Sequence, residues 1–268
     1  MRGRVIALAL ALSGSPAMAH AADTVLLHAA GSLRAALNEV AASYEKATGI
    51  HVIAKYGASG LLREEIAGGA RAEVFASANM EHPQALAQAG KSGPVVLFAR
   101  NQLCALARPG LAVEPASLLD VMLEARVKLG TSTPKADPSG DYAWEVFARA
   151  EKIRPGAFAT LSRKALQLTG APASTPPPAD RNLYGMLVSQ GRADVFLTYC
   201  TNAVAATKEN PGQRLVALPD DLAVGADYGL TVMSAASPQA TRFALYILSV
   251  DAQRILASHG FAAPGLPH

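Results

Sequence analysis

The chain has 268 residues, half of them hydrophobic and only 17% charged, with 24 Lys and Arg against 21 Asp and Glu. So sparse a charge, with no basic run and no aromatic–basic stripe, excludes nucleic-acid binding, which needs a concentrated positive surface. The length suffices for two compact α/β lobes, since domains usually run to roughly 100–200 residues.

Residues 1–19 read as a secretory signal peptide. Arg2 and Arg4 precede the apolar stretch Val5 to Leu12, and Pro16-Ala17-Met18-Ala19 supplies the small residues of a cleavage site. The apolar stretch falls short of the about 20 residues that a spanning helix needs, and no later stretch is long and apolar enough. Cleavage is expected after Ala19, with Ala21 as second choice, and no cysteine follows to suggest a lipoprotein. Removing the segment takes away two arginines and no acids, so the formal charge falls from +3 to +1 and the whole-chain pI of about 8.9 overstates the basicity. The product is expected to be soluble and exported to the periplasm.

The next stretch reads β-α-β-α-β. A strand at Thr24–His28 leads to a helix carrying Leu33, Leu37, Val40 and Tyr44 on one face, stopped by Thr48-Gly49. A strand at His51–Tyr56 leads to a helix through Leu61, Leu62 and Ile66, stopped by Gly68-Gly69. The strand Glu73–Ala76 and a helix near His82–Ala89 follow. Such alternation implies a parallel sheet covered by helices. The run Pro94–Arg100 into a strand at Leu103–Ala107 reads as a crossover to a second lobe. That lobe is expected to hold helices at Ser117–Glu124, Tyr142–Arg149, Ala157–Gln167 and Leu183–Gln190, with strands at Arg126–Gly130 and Val195–Tyr199. A Pro-rich stretch runs from Gly170 to Ala179. The chain is expected to return to the first lobe near Leu215–Leu218, then form a strand at Tyr228–Met233 and helices at Gln239–Ser249 and Asp251–Ser258. The expected division is 20–98 with 215–268 for lobe I and 99–214 for lobe II.

Cys104 and Cys200 fall in or beside strand-like runs. An oxidising compartment permits a disulfide, and two buried thiols fit the same residues, because cysteine behaves as a small hydrophobe.

Two serines stand at matched turns. Ala29-Ala30-Gly31-Ser32 and Gly57-Ala58-Ser59-Gly60 each join an extended run to a helical one. A serine there caps the helix, or offers its hydroxyl with the orphan amides and positive dipole end to an anion. Consecutive βα units place both turns on one edge of a parallel sheet, where α/β folds bind ligands. Two further helix starts are Asp137-Pro138-Ser139-Gly140 and Ala179-Asp180-Arg181-Asn182, and Tyr199 ends a strand at the rim of a sheet.

The ordered set Ala29-Ala30-Gly31-Ser32-Leu33, Tyr56-Gly57-Ala58-Ser59-Gly60, Ala72 to Ala78, Pro138-Ser139-Gly140-Asp141-Tyr142-Ala143, Tyr199 and Gly260-Phe261 resembles the periplasmic molybdate-binding proteins of ABC transporters. The resemblance covers nearly all of the chain after the signal segment. It implies an α/β fold of two lobes joined by crossover strands, the type II periplasmic binding protein fold, closing on a tetrahedral oxyanion, molybdate or tungstate, for delivery to an ABC-type membrane permease. It implies a monomer without cofactor or resident metal. As ligands it implies the hydroxyls and amides of Ser32 and Ser59, the backbone amides of Ser139 and Arg181, and the Tyr199 phenol. An all-donor pocket suits a fully deprotonated dianion, which has only acceptors. Arg181 departs from the pattern by bringing a full charge to a position usually apolar. It either projects outward or pairs with a carboxylate or another anion, which would change the ligand class.

Enzymatic motifs are absent: there is no H-E-x-x-H, G-x-S-x-G or Walker A loop. The histidines at 20, 28, 51, 82, 259 and 268 show no metal-ligand spacing. The expectation is a binding protein, not an enzyme.

Overall fold

A computed structural model describes residues 24–174, 176, 181–262 and 264. The signal-peptide reading lies outside the described residues, as does Asp180. The first elements are β1 (Thr24–Ala30), α1 (Arg34–Thr48), β2 (His51–Gly57), α2 (Ser59–Ala67), β3 (Val74–Ser77) and α3 (Glu81–Gln88). Then come β4 (Val96–Ala107), α4 (Leu118–Leu123), β5 (Leu129–Ser132), α5 (Pro138–Ile153), α6 (Ala157–Lys164), β6 (Leu166–Thr169) and α7 (Leu183–Ser189). The chain closes with β7 (Val195–Tyr199), α8 (Cys200–Glu209), β8 (Arg214–Ala217), β9 (Gly225–Val232), α9 (Pro238–Ile247) and α10 (Val250–Ser258).

The strands run in the order β2-β1-β3-β9-β4-β7-β5-β6, with β8 also paired to β4. The outer pairings are parallel, β1 with β2 and β3 on one side and β5 with β6 and β7 on the other. The centre is antiparallel, and β4 is the joint. Its residues Val96 to Gln102 pair with β9, while Leu103 to Ala107 pair with β7 and β8. A parallel ladder flanked by helices buries both faces, so β1 and β3 read as nearly unbroken apolar runs and are almost wholly buried. On α1 the buried set Ala36, Leu37, Val40 and Tyr44 follows the helical repeat, and Gly49 ends the helix in the left-handed region at φ 74°.

Four expectations need correcting. The run from Pro94 and the strand at Leu103 form one twelve-residue strand from Val96, because successive halves find different partners. The strand expected at 126–130 lies at Leu129–Ser132, where it meets β7 and β6. The helix expected to reach Gln167 stops at Lys164, and Leu166–Thr169 is a strand on the free edge of β5. Four residues are too few for periodicity to separate strand from helix. Helix α8 was not expected; it has no capping side chain at its start, and only the Asn210-Pro211-Gly212 stop beyond it marks it in the sequence. β8 hydrogen-bonds to the half of β4 that also carries β7.

Cys104 on β4 and Cys200 at the start of α8 form a disulfide, with S–S 1.97 Å and Cα–Cα 4.8 Å. Of the two readings open in the sequence, the bridge is the one found.

Candidate functional site

The ends of β1, β2, β3, β6 and β7 and the segments that follow them surround a cleft of about 850 Å³. Ser32, Ser59, Arg181 and Tyr199 all line it. Ser139 does not; Asp137, two residues earlier, takes its place in the wall.

Neither first-wall serine caps a helix. Ser32 lies in a short 3-10 turn, Gly31–Leu33, and α1 begins behind it without a side-chain cap. Its Oγ stands 2.9 Å from the Tyr228 hydroxyl. Ser59 is the first residue of α2, whose N-cap is Ala58. Its buried Oγ accepts from the Ala78 N–H at 3.1 Å, which leaves the hydroxyl proton free to donate toward the cleft. Capping, the ordinary explanation of a serine at a helix start, is therefore removed for both.

Tyr228 on β9 also receives Asn101 Nδ2 at 3.3 Å, and the same amide donates to Thr201 Oγ1 at 2.8 Å. This buried chain ties β4, β9 and α8 to Ser32. Sequence reasoning missed it; the visible signal was Asn101, an amide in the middle of a strand that a buried ladder would otherwise leave apolar. Tyr199 is 2% exposed, and its hydroxyl donates to the Ala78 carbonyl at 3.3 Å. Its ring packs against Tyr228 at 5.5 Å and Tyr142 at 6.3 Å. Burial pushes the phenols of Tyr199 and Tyr228 far above their ordinary range, so both stay protonated.

On the second wall Asp137 caps α5, and its Oδ1 accepts the Ser139 N–H at 3.1 Å. The Ser139 amide is thus already engaged, and its side chain is fully buried. Burial pushes the Asp137 carboxyl up to about 6, against the opposing pull of the Ser139 N–H and the Ser132 hydroxyl, and Asp141 adds to the rise. Gly170, at φ 84°, turns directly against this carboxyl; a Cβ there would lie 2.5 Å from the Asp137 Cβ. Asn182 caps α7 through Gly185 N–H at 2.9 Å, and its own N–H donates to Glu209 Oε2 at 2.7 Å. Arg181, just before it, is exposed at the rim and makes no ion pair among the described residues.

The two walls touch at one end. Gly60 N–H on α2 donates to the Ala136 carbonyl at 2.8 Å, and a Cβ on Gly60 would sit 2.6 Å from that oxygen. Among the described residues no group of three His, Cys, Asp or Glu side chains is placed to hold a metal ion, and no helix is long and apolar enough to cross a membrane.

Residues 25–262 match the family described as bacterial extracellular solute-binding protein, and the chain belongs to that family. The uncharacterized protein PM1146 of Pasteurella multocida (strain Pm70) is 32% identical over 208 residues, 77% of this chain and 86% of that protein. The periplasmic molybdate-binding protein of Azotobacter vinelandii superposes with a TM-score of 0.72 at 19% identity, over 91% of this chain and all 100% of the other. The sulfate-binding protein SubI of Mycobacterium tuberculosis H37Rv gives 0.73 at 18% identity, over 90% and 87%. At these identities the structural likeness shows the fold: the two-lobe α/β architecture of type II periplasmic binding proteins. The family is one of solute-binding proteins and not of enzymes.

Proposed function

We propose that this solute-binding protein is the exported, periplasmic receptor of an ABC importer, and that it captures an oxyanion group in the cleft for delivery to a membrane permease. The observation that carries this reading is the pair Ser32 and Ser59. They stand at the strand-to-helix turns of consecutive βα units, both line one cleft, and neither caps its helix. The Tyr199 phenol across from them stays protonated, and by turning its proton from the Ala78 carbonyl to the ligand it completes a donor set suited to an anion that has only acceptors. Molybdate and tungstate are the free anions that the resemblance suggests, and the Azotobacter protein of the same fold is named for molybdate. The protein acts as a monomer and its signal segment is removed after Ala19. The lobes divide where β4 changes partners, between Gln102 and Leu103, and β8 then moves with the second lobe rather than the first.

Titration calorimetry with molybdate and tungstate tests the assignment. Ser32→Ala and Ser59→Ala should each weaken binding by about 1.5–3 kcal/mol, the worth of a hydrogen bond to a charged group. Two variants with unchanged affinity would remove the serines from the site.

A second reading, an organic carboxylate, is favoured by Arg181 at the rim, which forms no ion pair among the described residues. A guanidinium pairs with a carboxylate in two-pronged fashion, which a main-chain amide at the same position does not.

A further inference from the structure

The cleft is far larger than its donor set. Four oxygens around one centre fill roughly 100 Å³, taking about 30 Å³ for each water-sized atom group. The cleft holds about 850 Å³, within the range of roughly 300–1,000 Å³ usual for sites that enclose organic ligands. The excess is not merely the gape of parted lobes, since the walls already meet at Gly60 and Ala136 and at Tyr199 and Ala78.

The extra space has a direction. One face of α8 lines it, through Thr201, Val204, Ala205 and Lys208, the spacing of a single helical stripe. From Tyr199 to Lys208 that stripe climbs about 13 Å, at 1.5 Å per residue. Along it the wall changes from buried and polar at Thr201 to apolar at Val204, which is 40% exposed, and then to the exposed ammonium of Lys208. Arg181 stands at the same mouth. From the other wall comes Arg34, whose guanidinium carbon lies 4.8 Å from the centre of the Tyr56 ring. No ion pair between described residues includes Arg34, Arg181 or Lys208. Glu209, the acid beside Lys208, is engaged by the Asn182 N–H.

We infer that the solute is a two-ended organic anion. Its oxyanion head sits at Ser32, Ser59 and Tyr199, a short apolar body lies along Val204 and Ala205, and a second anionic group meets Arg34, Arg181 and Lys208 at the mouth. The inference rests on the head-group site proposed above and adds a second subsite to it.

The test is calorimetry and thermal shift with the purified chain against three sets of probes. These are molybdate, sulfate and inorganic phosphate; α,ω-dicarboxylates and phosphorylated carboxylates of three to seven carbons; and the one-ended acids of the same lengths. At least one two-ended anion should bind about a hundredfold more tightly than any inorganic anion and than its one-ended counterpart, since two charged contacts act together. The double variant Arg34→Ala, Lys208→Ala should shrink that two-ended preference by about tenfold or more. The inference is overturned if no two-ended anion binds, if an inorganic anion binds tightest, or if the preference survives the double variant. Failure of the head-group site looks different: there Ser32→Ala and Ser59→Ala leave every affinity in place while the cation variants still act.

Discussion

The two walls of the cleft are built in opposite ways. The first is local: β1 runs into Ser32 and α1, β2 into Ser59 and α2, each within a dozen residues of chain. The second is assembled from Asp137 before α5, Gly170 after β6, Arg181 before α7 and the stripe of α8, segments up to seventy positions apart. The chemistry differs in parallel. The first wall offers the hydroxyls of Ser32 and Ser59, whereas the second offers the carboxyls of Asp137 and Glu209 and most of the mouth's cations. A local wall takes its shape from turn geometry; a dispersed wall needs tethers, and the disulfide is the strongest of them.

Breaking that tether should therefore give the largest effect. Cys104–Cys200 closes a loop of 96 residues that contains Asp137, Gly170 and Arg181, and Cys200 follows Tyr199 directly. The variant Cys104→Ser, Cys200→Ser should lose about 2–5 kcal/mol of stability. Denaturant unfolding measures this, and reduction of the native protein should reproduce it. Equal stability with and without the bridge would mean that the second wall holds itself together.

The same contrast explains what was legible in the sequence. Ser32 and Ser59 stood out because strand, turn and helix lie side by side in the chain, and a local motif needs no knowledge of distant partners. Tyr199 was marked by its strand end, and Arg181 was placed as a main-chain donor by resemblance, with its charge a departure from the pattern. Ser139 was placed in the site by resemblance, but here its amide is engaged by Asp137, whose side chain reaches the cleft instead. β6 and α8 escaped because a four-residue edge strand has no distinctive period and the Ala-rich α8 has a weak one. Of the Tyr228–Asn101–Thr201 chain only Asn101, a polar residue within a strand, was visible; its partners lie on elements far apart in sequence.

Asp137 sharpens the comparison with an intermediate effect. Its carboxyl, near 6 in the folded protein, is raised above the ordinary value of 3.8, so the native state binds a proton more tightly than the unfolded chain. The native state gains stability as pH falls through about 6 and loses it as pH rises, by up to about 2 kcal/mol between pH 4 and 7 from this group. Asp137→Asn preserves the helix cap, because Asn and Asp cap equally well. Unfolding curves across that range should show the variant gaining on the parent at pH 7 and matching it near pH 4. Parallel pH profiles would show that the carboxyl is solvated rather than held in the wall.

The smallest effect probes the one place where the local wall is not local. Ser32 Oγ is held by Tyr228, 196 positions away, and Tyr228 in turn by Asn101. If the βα turn alone orients Ser32, Tyr228→Phe removes one hydroxyl and nothing else follows. If the long-range contact orients it, the hydroxyl of Ser32 becomes free to rotate and the anion site weakens too. We expect the second outcome, with a stability loss of about 1 kcal/mol and a comparable loss of anion affinity. A double-mutant cycle of Tyr228→Phe with Ser32→Ala separates the two, since residues sharing a hydrogen bond couple by about 0.5–3 kcal/mol. Additive effects on affinity would make the first wall wholly local. Coupling would show that even the wall readable from a short stretch of sequence takes its binding geometry from β9, the strand that returns from the second half of the chain.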